Sequence, residues 1–140
     1  MKKIYQNFES IIIILIMIFL SGLPALQKIT GQFPPEWFIN KFTPTIFGQI
    51  PFGIELSFGI IVVLEVIVAI LFMYSLLLLL TQKTNYKVIL NLSFDMALLL
   101  MLILFFGSFL VKDYDNGFND FIYFVGILYL KNYTLGKIRD

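Results

Sequence analysis

The sequence predicts an all-α integral membrane protein: a four-helix bundle with both termini in the cytoplasm and a short interfacial helix in its first outer loop. Three observations carry this. Of 140 residues, 59% are hydrophobic and only 14% charged, where a soluble domain carries about 25% charged residues. The apolar residues gather into runs near the roughly 20 residues a membrane helix needs, since lipid offers no partner to an unpaired backbone group. The lysines and arginine between the runs divide unevenly between the two sides. Length and the absence of internal repeats indicate one domain, 1–140.

The first span is expected over about 8–26, with an apolar centre from Ile11 to Leu20 and Pro24 near its outer end. A cleaved signal peptide is the rival reading, because Lys2 and Lys3 precede a short apolar run. Against it stand Glu9 in the flank, apolar character continuing past Ser21, and no clear small-x-small site. The second span, 54–80, is long enough to tilt, and the third, 88–111, is equally plain. The fourth, 115–133, is the weakest. Phe118 to Leu130 is short before Lys131, so it crosses only if Tyr114–Gly117 or Asn132–Leu135 extend it.

With the N-terminus inside, the cytoplasmic cations are Lys2, Lys3, Lys83, Lys87, Lys131, Lys137 and Arg139, and the outer ones Lys28, Lys41 and Lys112. Seven against three agrees with the positive-inside rule, and four spans return the C-terminus to the same side. The outer loop, 27–53, holds Pro34-Pro35-Glu36-Trp37-Phe38, then Phe42, Phe47 and Pro51. Pro35 and Glu36 suit a helix start, and Phe38 and Phe42 share a face at i, i+4. Two readings stay open: an interfacial helix with its rings at headgroup level, or an aromatic lid packed on the bundle.

Composition narrows the chemistry. There is no cysteine and no histidine, so thiol redox chemistry, thiolate ligation, the usual haem ligand and the commonest catalytic base are absent. No cofactor, no metal and no independent enzyme activity are expected. A net charge of +1 lacks the concentrated basic surface of a nucleic-acid binder. No Gly-x-x-x-Gly pairing pattern occurs, leaving oligomeric state open.

Ionisable groups inside a bilayer are expensive and therefore candidates for function. Glu65 lies eleven residues past Ile54, about 16 Å along the second helix. Asp95 lies eight residues past Lys87 in the third. Thr84, Lys87, Asn91 and Asp95 recur at three- and four-residue steps and form one stripe, read either as an interhelical seam or as half of a polar pathway. Counted from the 81–87 turn, Glu65 and Asp95 differ in height by about 12 Å, so a shared-proton pair is not expected. Lys28 is the candidate cation for Glu65, with Glu55 competing for it and snorkelling of Lys28 as the alternative. Asp120 is read as a charge favoured by the dipole at a helix start.

Ser21-Gly22-Leu23 through Lys28 resembles the end of helix one in DoxX-like membrane proteins, and Phe42 to Phe72, with Gly48, Pro51 and Glu65, resembles that family's loop and second helix. The chain departs from the pattern where many relatives carry an arginine early in helix one; here Lys3 is the nearest cation. The resemblance implies a four-helix protein of the bacterial inner membrane, sometimes associated with respiratory or redox systems, with Lys28 and Glu65 as a polar site. The expected function is a non-catalytic subunit or assembly factor of a membrane redox complex, its partners being the bilayer and that complex's subunits. The alternatives are a proton-linked carrier using Glu65, Asp95 and the stripe, and a quinone or lipid site among Phe72, Phe94, Phe105 and Phe106.

Overall fold

The computed structural model describes residues 8–83 and 85–137. Lys2, Lys3, Thr84 and Arg139, used above, lie outside the described residues. Among the described residues there are six helices and no strand: α1 (Phe8–Thr30), α2 (Glu36–Phe42), α3 (Ile46–Gln49), α4 (Gly53–Leu80), α5 (Tyr86–Leu110) and α6 (Tyr114–Lys137). Three of them, α1, α4 and α5, are long and apolar enough to cross a membrane.

α1 runs further than its apolar stretch suggests. Its polar tail continues the helix, with Thr30 Oγ1 donating to the Leu26 carbonyl at 2.8 Å and the Gly31 N–H donating to that of Gln27 at 3.1 Å. Pro24 sits inside α1 and leaves the Leu20 carbonyl without its helical donor. α6 takes in both flanks of the short apolar stretch. Its 24 residues reach about 36 Å, but Asp115, Asp120, Lys131 and four tyrosines dilute its apolar content.

The turns ending α4 and α5 share one design. Gln82 (φ 55°) and Lys112 (φ 58°) adopt the left-handed conformation. The Lys83 N–H returns to the Leu78 carbonyl at 3.1 Å, and the Asp113 N–H to that of Ser108 at 2.9 Å. Both are Schellman closures made without the usual glycine. A left-handed non-glycine residue costs roughly 1–2 kcal/mol, partly offset by the extra unfolded-state freedom of glycine, roughly 0.5–1 kcal/mol. Gln82→Gly is therefore expected to stabilise the fold by up to about 1 kcal/mol, read as a shift in the unfolding midpoint in detergent.

These short turns make successive long helices antiparallel neighbours. α1 packs on α4, α4 on α5 and α5 on α6, while α1 and α6 touch only slightly. All four feed one core: Ile14 and Met17 from α1, Val68 and Phe72 from α4, Leu90, Phe94 and Ala97 from α5, Ile127 from α6. Phe72 and Phe94 meet edge to face, centroids 5.1 Å apart. The outward faces remain apolar, with Ile16, Phe19, Ile60, Val63, Ile70, Leu102 and Phe106 exposed, more than a water-facing surface ordinarily presents.

The segment joining α1 to α4 folds over one end of the long helices as an aromatic lid. Phe38 and Phe42 stack with centroids 4.3 Å apart, and Phe38 meets Phe58 of α4 edge-on at 4.9 Å. The shared face of α2 is thus turned into the protein, in a cluster with Phe58 and Val62, while the ring of Trp37 on the same helix stays open, 56% exposed. α3 follows as an additional short helix, capped by Thr45, whose Oγ1 accepts from the Phe47 N–H at 3.3 Å. A Cβ on Gly48 would lie 2.1 Å from the Thr43 carbonyl oxygen, so the return of the chain here admits only glycine.

Candidate functional site

Glu65 lies on the buried face of α4, 4% exposed, and its Oε1 accepts from Lys28 Nζ of α1. The two helices approach closely: a Cβ on Gly22 would sit 3.7 Å from that of Ala69. Lys28 is one helical turn past Pro24 and partly buried, with Glu65 rather than Glu55 as its partner. The other carboxylate oxygen, Oε2, is buried with no hydrogen-bond partner among the described residues.

Asp95 is placed differently. It is not hidden: its side chain is 48% exposed, at the edge where α5 meets α6, and it accepts from Lys131, 18% exposed. Asn91 Nδ2, one turn earlier, donates to the other oxygen at 3.1 Å. Asn91 and Asp95 therefore belong together and Lys28 and Glu65 belong together, with the two sets on different helix pairs. Lys131 joins this cluster from α6, although in the sequence it reads only as an end-of-span cation.

Each interface between neighbouring long helices carries a polar link. Ser75 and Ser93 hydroxyls meet at 3.0 Å between α4 and α5, one donating to the other, while the second hydroxyl's proton goes to the carbonyl four residues back, 2.8 Å away in either case. At the end opposite the lid, the Tyr133 hydroxyl of α6 donates to Glu9 of α1. Ser108 Oγ of α5 donates to Asp120 of α6 at 2.8 Å. Asp120 lies six residues past Tyr114, beyond the first turn where the dipole acts, so this serine contact replaces the dipole reading. The aromatics considered as one site are dispersed: Phe72 and Phe94 fill the core, while Phe106 is exposed and Phe105 packs on Phe109.

Lys41 of the lid is anchored to Asp113, in the α5–α6 turn, at 2.6 Å, with Asn116 Nδ2 donating to the same carboxylate at 2.7 Å. Lys41 first, then Asn116, hold the Asp113 carboxyl below its ordinary value. Such a group contributes stability above its unfolded pKa, about 3.9, and loses it as pH falls through the lower folded value. The lid is therefore expected to loosen in acid below about pH 4, read in the emission of Trp37. Asp113→Asn removes that acid step. Beneath the lid lies a cavity of about 210 Å³ whose lining includes Phe38, Lys41, Ile61, Leu104, Asp113 and Asp120.

The fold and these contacts define an all-helical protein whose membrane-length helices are joined by side-chain ion pairs and hydroxyl contacts. No family model, no curated protein and no solved structure matches this chain.

Proposed function

We propose that the chain is a four-span protein of a bacterial inner membrane, N-terminus and C-terminus inside, acting as a non-catalytic accessory subunit or assembly factor of a membrane redox system. The observation that carries the accessory reading is the use made of the two intramembrane acids. Glu65 and Asp95 are each engaged by a lysine of the neighbouring helix, so both serve as clamps within the chain. The redox association comes from the DoxX-like resemblance of residues 21–28 and 42–72. The length of α6 and its packing along α5 support the fourth span.

Two measurements test this reading. The chain has no cysteine, so single cysteines report topology directly. In intact cells Gln49→Cys reacts with an impermeant maleimide, and Lys83→Cys reacts only after permeabilisation; the reverse pattern inverts the orientation. Purification in mild detergent recovers redox-complex subunits with the protein, whereas recovery of a lone, partnerless chain counts against the subunit role.

A second reading, a proton-linked carrier, rests on one atom. Glu65 Oε2 is buried without a partner among the described residues, and an unsatisfied buried oxygen is a place where a proton can reside. It predicts that Glu65→Gln and Asp95→Asn abolish pH-driven flux in vesicles. Unchanged flux in both ends it.

A further inference from the structure

We propose that the cavity beneath the α2 lid binds the headgroup of an outer-leaflet aminophospholipid, with its primary ammonium on Asp120 and its phosphate on Lys41. The inference rests on the membrane reading above and extends it to a ligand. The cavity, about 210 Å³, falls below the roughly 300–1,000 Å³ that engulf a drug-sized molecule. It therefore suits the polar end of a larger one whose remainder stays outside. Its lining changes character from one side to the other. Phe38, Phe42, Ile61 and Leu104 supply an apolar wall, and Lys41, Ser108, Asp113, Asn116 and Asp120 supply the polar one.

The charges select the ligand. Lys41 and Asp113 pair with each other, leaving Asp120, half-buried, with a serine hydroxyl as its hydrogen-bond donor and no lysine paired to it among the described residues. The cavity therefore carries one net negative charge and asks for a cation that donates N–H bonds. A primary ammonium offers three donors. Lys41 Nζ has donors beyond the one given to Asp113, and a phosphate oxygen would take one as a charge-assisted bond. A trimethylated choline headgroup carries the charge but no N–H donor. A glycerol headgroup carries the phosphate and would bring its charge to Asp120 uncompensated. Trp37 stands at the rim, half open, in the manner of residues at headgroup level.

Trp37 is also the only tryptophan in the chain, so its quenching reports occupancy. The full chain is placed in phosphatidylcholine nanodiscs containing a small fraction of spin-labelled lipid. Labelled phosphatidylethanolamine is expected to quench Trp37 as if enriched roughly tenfold over labelled phosphatidylcholine or phosphatidylglycerol, the scale of a charge-assisted bond. Unlabelled phosphatidylethanolamine reverses the effect saturably. Asp120→Asn and Lys41→Met each bring quenching down to the bulk level, while Asp115→Asn retains the preference. Should those variants not fold, the wild-type protein still decides. Mono- and dimethylated phosphatidylethanolamine remove one N–H at a time, and the preference must fall stepwise. Equal quenching by all headgroups, a preference unaffected by methylation, or one surviving Asp120→Asn overturns the proposal. So does displacement by soluble phosphoethanolamine at the same concentration, which would assign the cavity to a free solute. A chain that does not enter the nanodisc fails earlier, and fails the membrane reading instead.

Discussion

Lys28→Met is expected to lower the unfolding free energy by about 3–5 kcal/mol, the cost of leaving a buried carboxylate without its cation. The size follows from where Glu65 sits. It is 4% exposed and Lys28 is its only hydrogen-bond donor among the described residues, so truncating the lysine leaves both oxygens unpaired. The double variant Lys28→Met, Glu65→Met should recover most of the loss, because replacing a buried pair by apolar groups of similar volume is often neutral or stabilising. Reversible unfolding in mixed micelles, followed by helical circular dichroism, measures both. A loss below about 1 kcal/mol, the range of solvated pairs, would show that the pair is wetted and that α1 is held to α4 by packing alone. The same comparison bears on the carrier reading, since a clamp tolerates the apolar double replacement whereas a proton site does not.

What the sequence made legible follows from the solvent it is built for. A chain that must satisfy its own backbone in lipid announces its helices as apolar runs, and the boundaries of α4 at Gly53 and Leu80 fall almost where the run begins and ends. Glu65 was visible because a single carboxylate stands among aliphatic residues, and Lys28 because it closes the preceding helix. Asp95 with Lys131 was not legible as a pair. Their meeting depends on the register of α5 against α6, set by a left-handed Lys112, a position the sequence marks with no glycine. For the same reason Asp120 reads as a dipole charge until the register brings Ser108 alongside it. The lid shows a third limit. The i, i+4 spacing gives Phe38 and Phe42 a common face, but spacing says nothing of what that face meets, and here it is Phe58.

Phe94→Ala is expected to cost about 3–5 kcal/mol as well, by a different route. Phe94 and its edge-to-face partner Phe72 are both fully buried and stand at the centre of the core to which all four long helices contribute. Lipid is as apolar as the core, so the loss is chiefly of close contact in the space left behind, with little hydrophobic transfer to add. Phe94→Leu, which refills most of that volume, should cost much less, and the gap between the two variants isolates the cavity contribution. The nearby Ser75–Ser93 contact gives the matching control. Ser93→Ala removes one hydroxyl and leaves the other bonded to the Leu71 carbonyl, so its cost should stay near 1 kcal/mol. If Ser93→Ala proved as damaging as Phe94→Ala, α4 and α5 would be held by their hydroxyl seam, and the close packing of rings at the centre would be incidental to the fold.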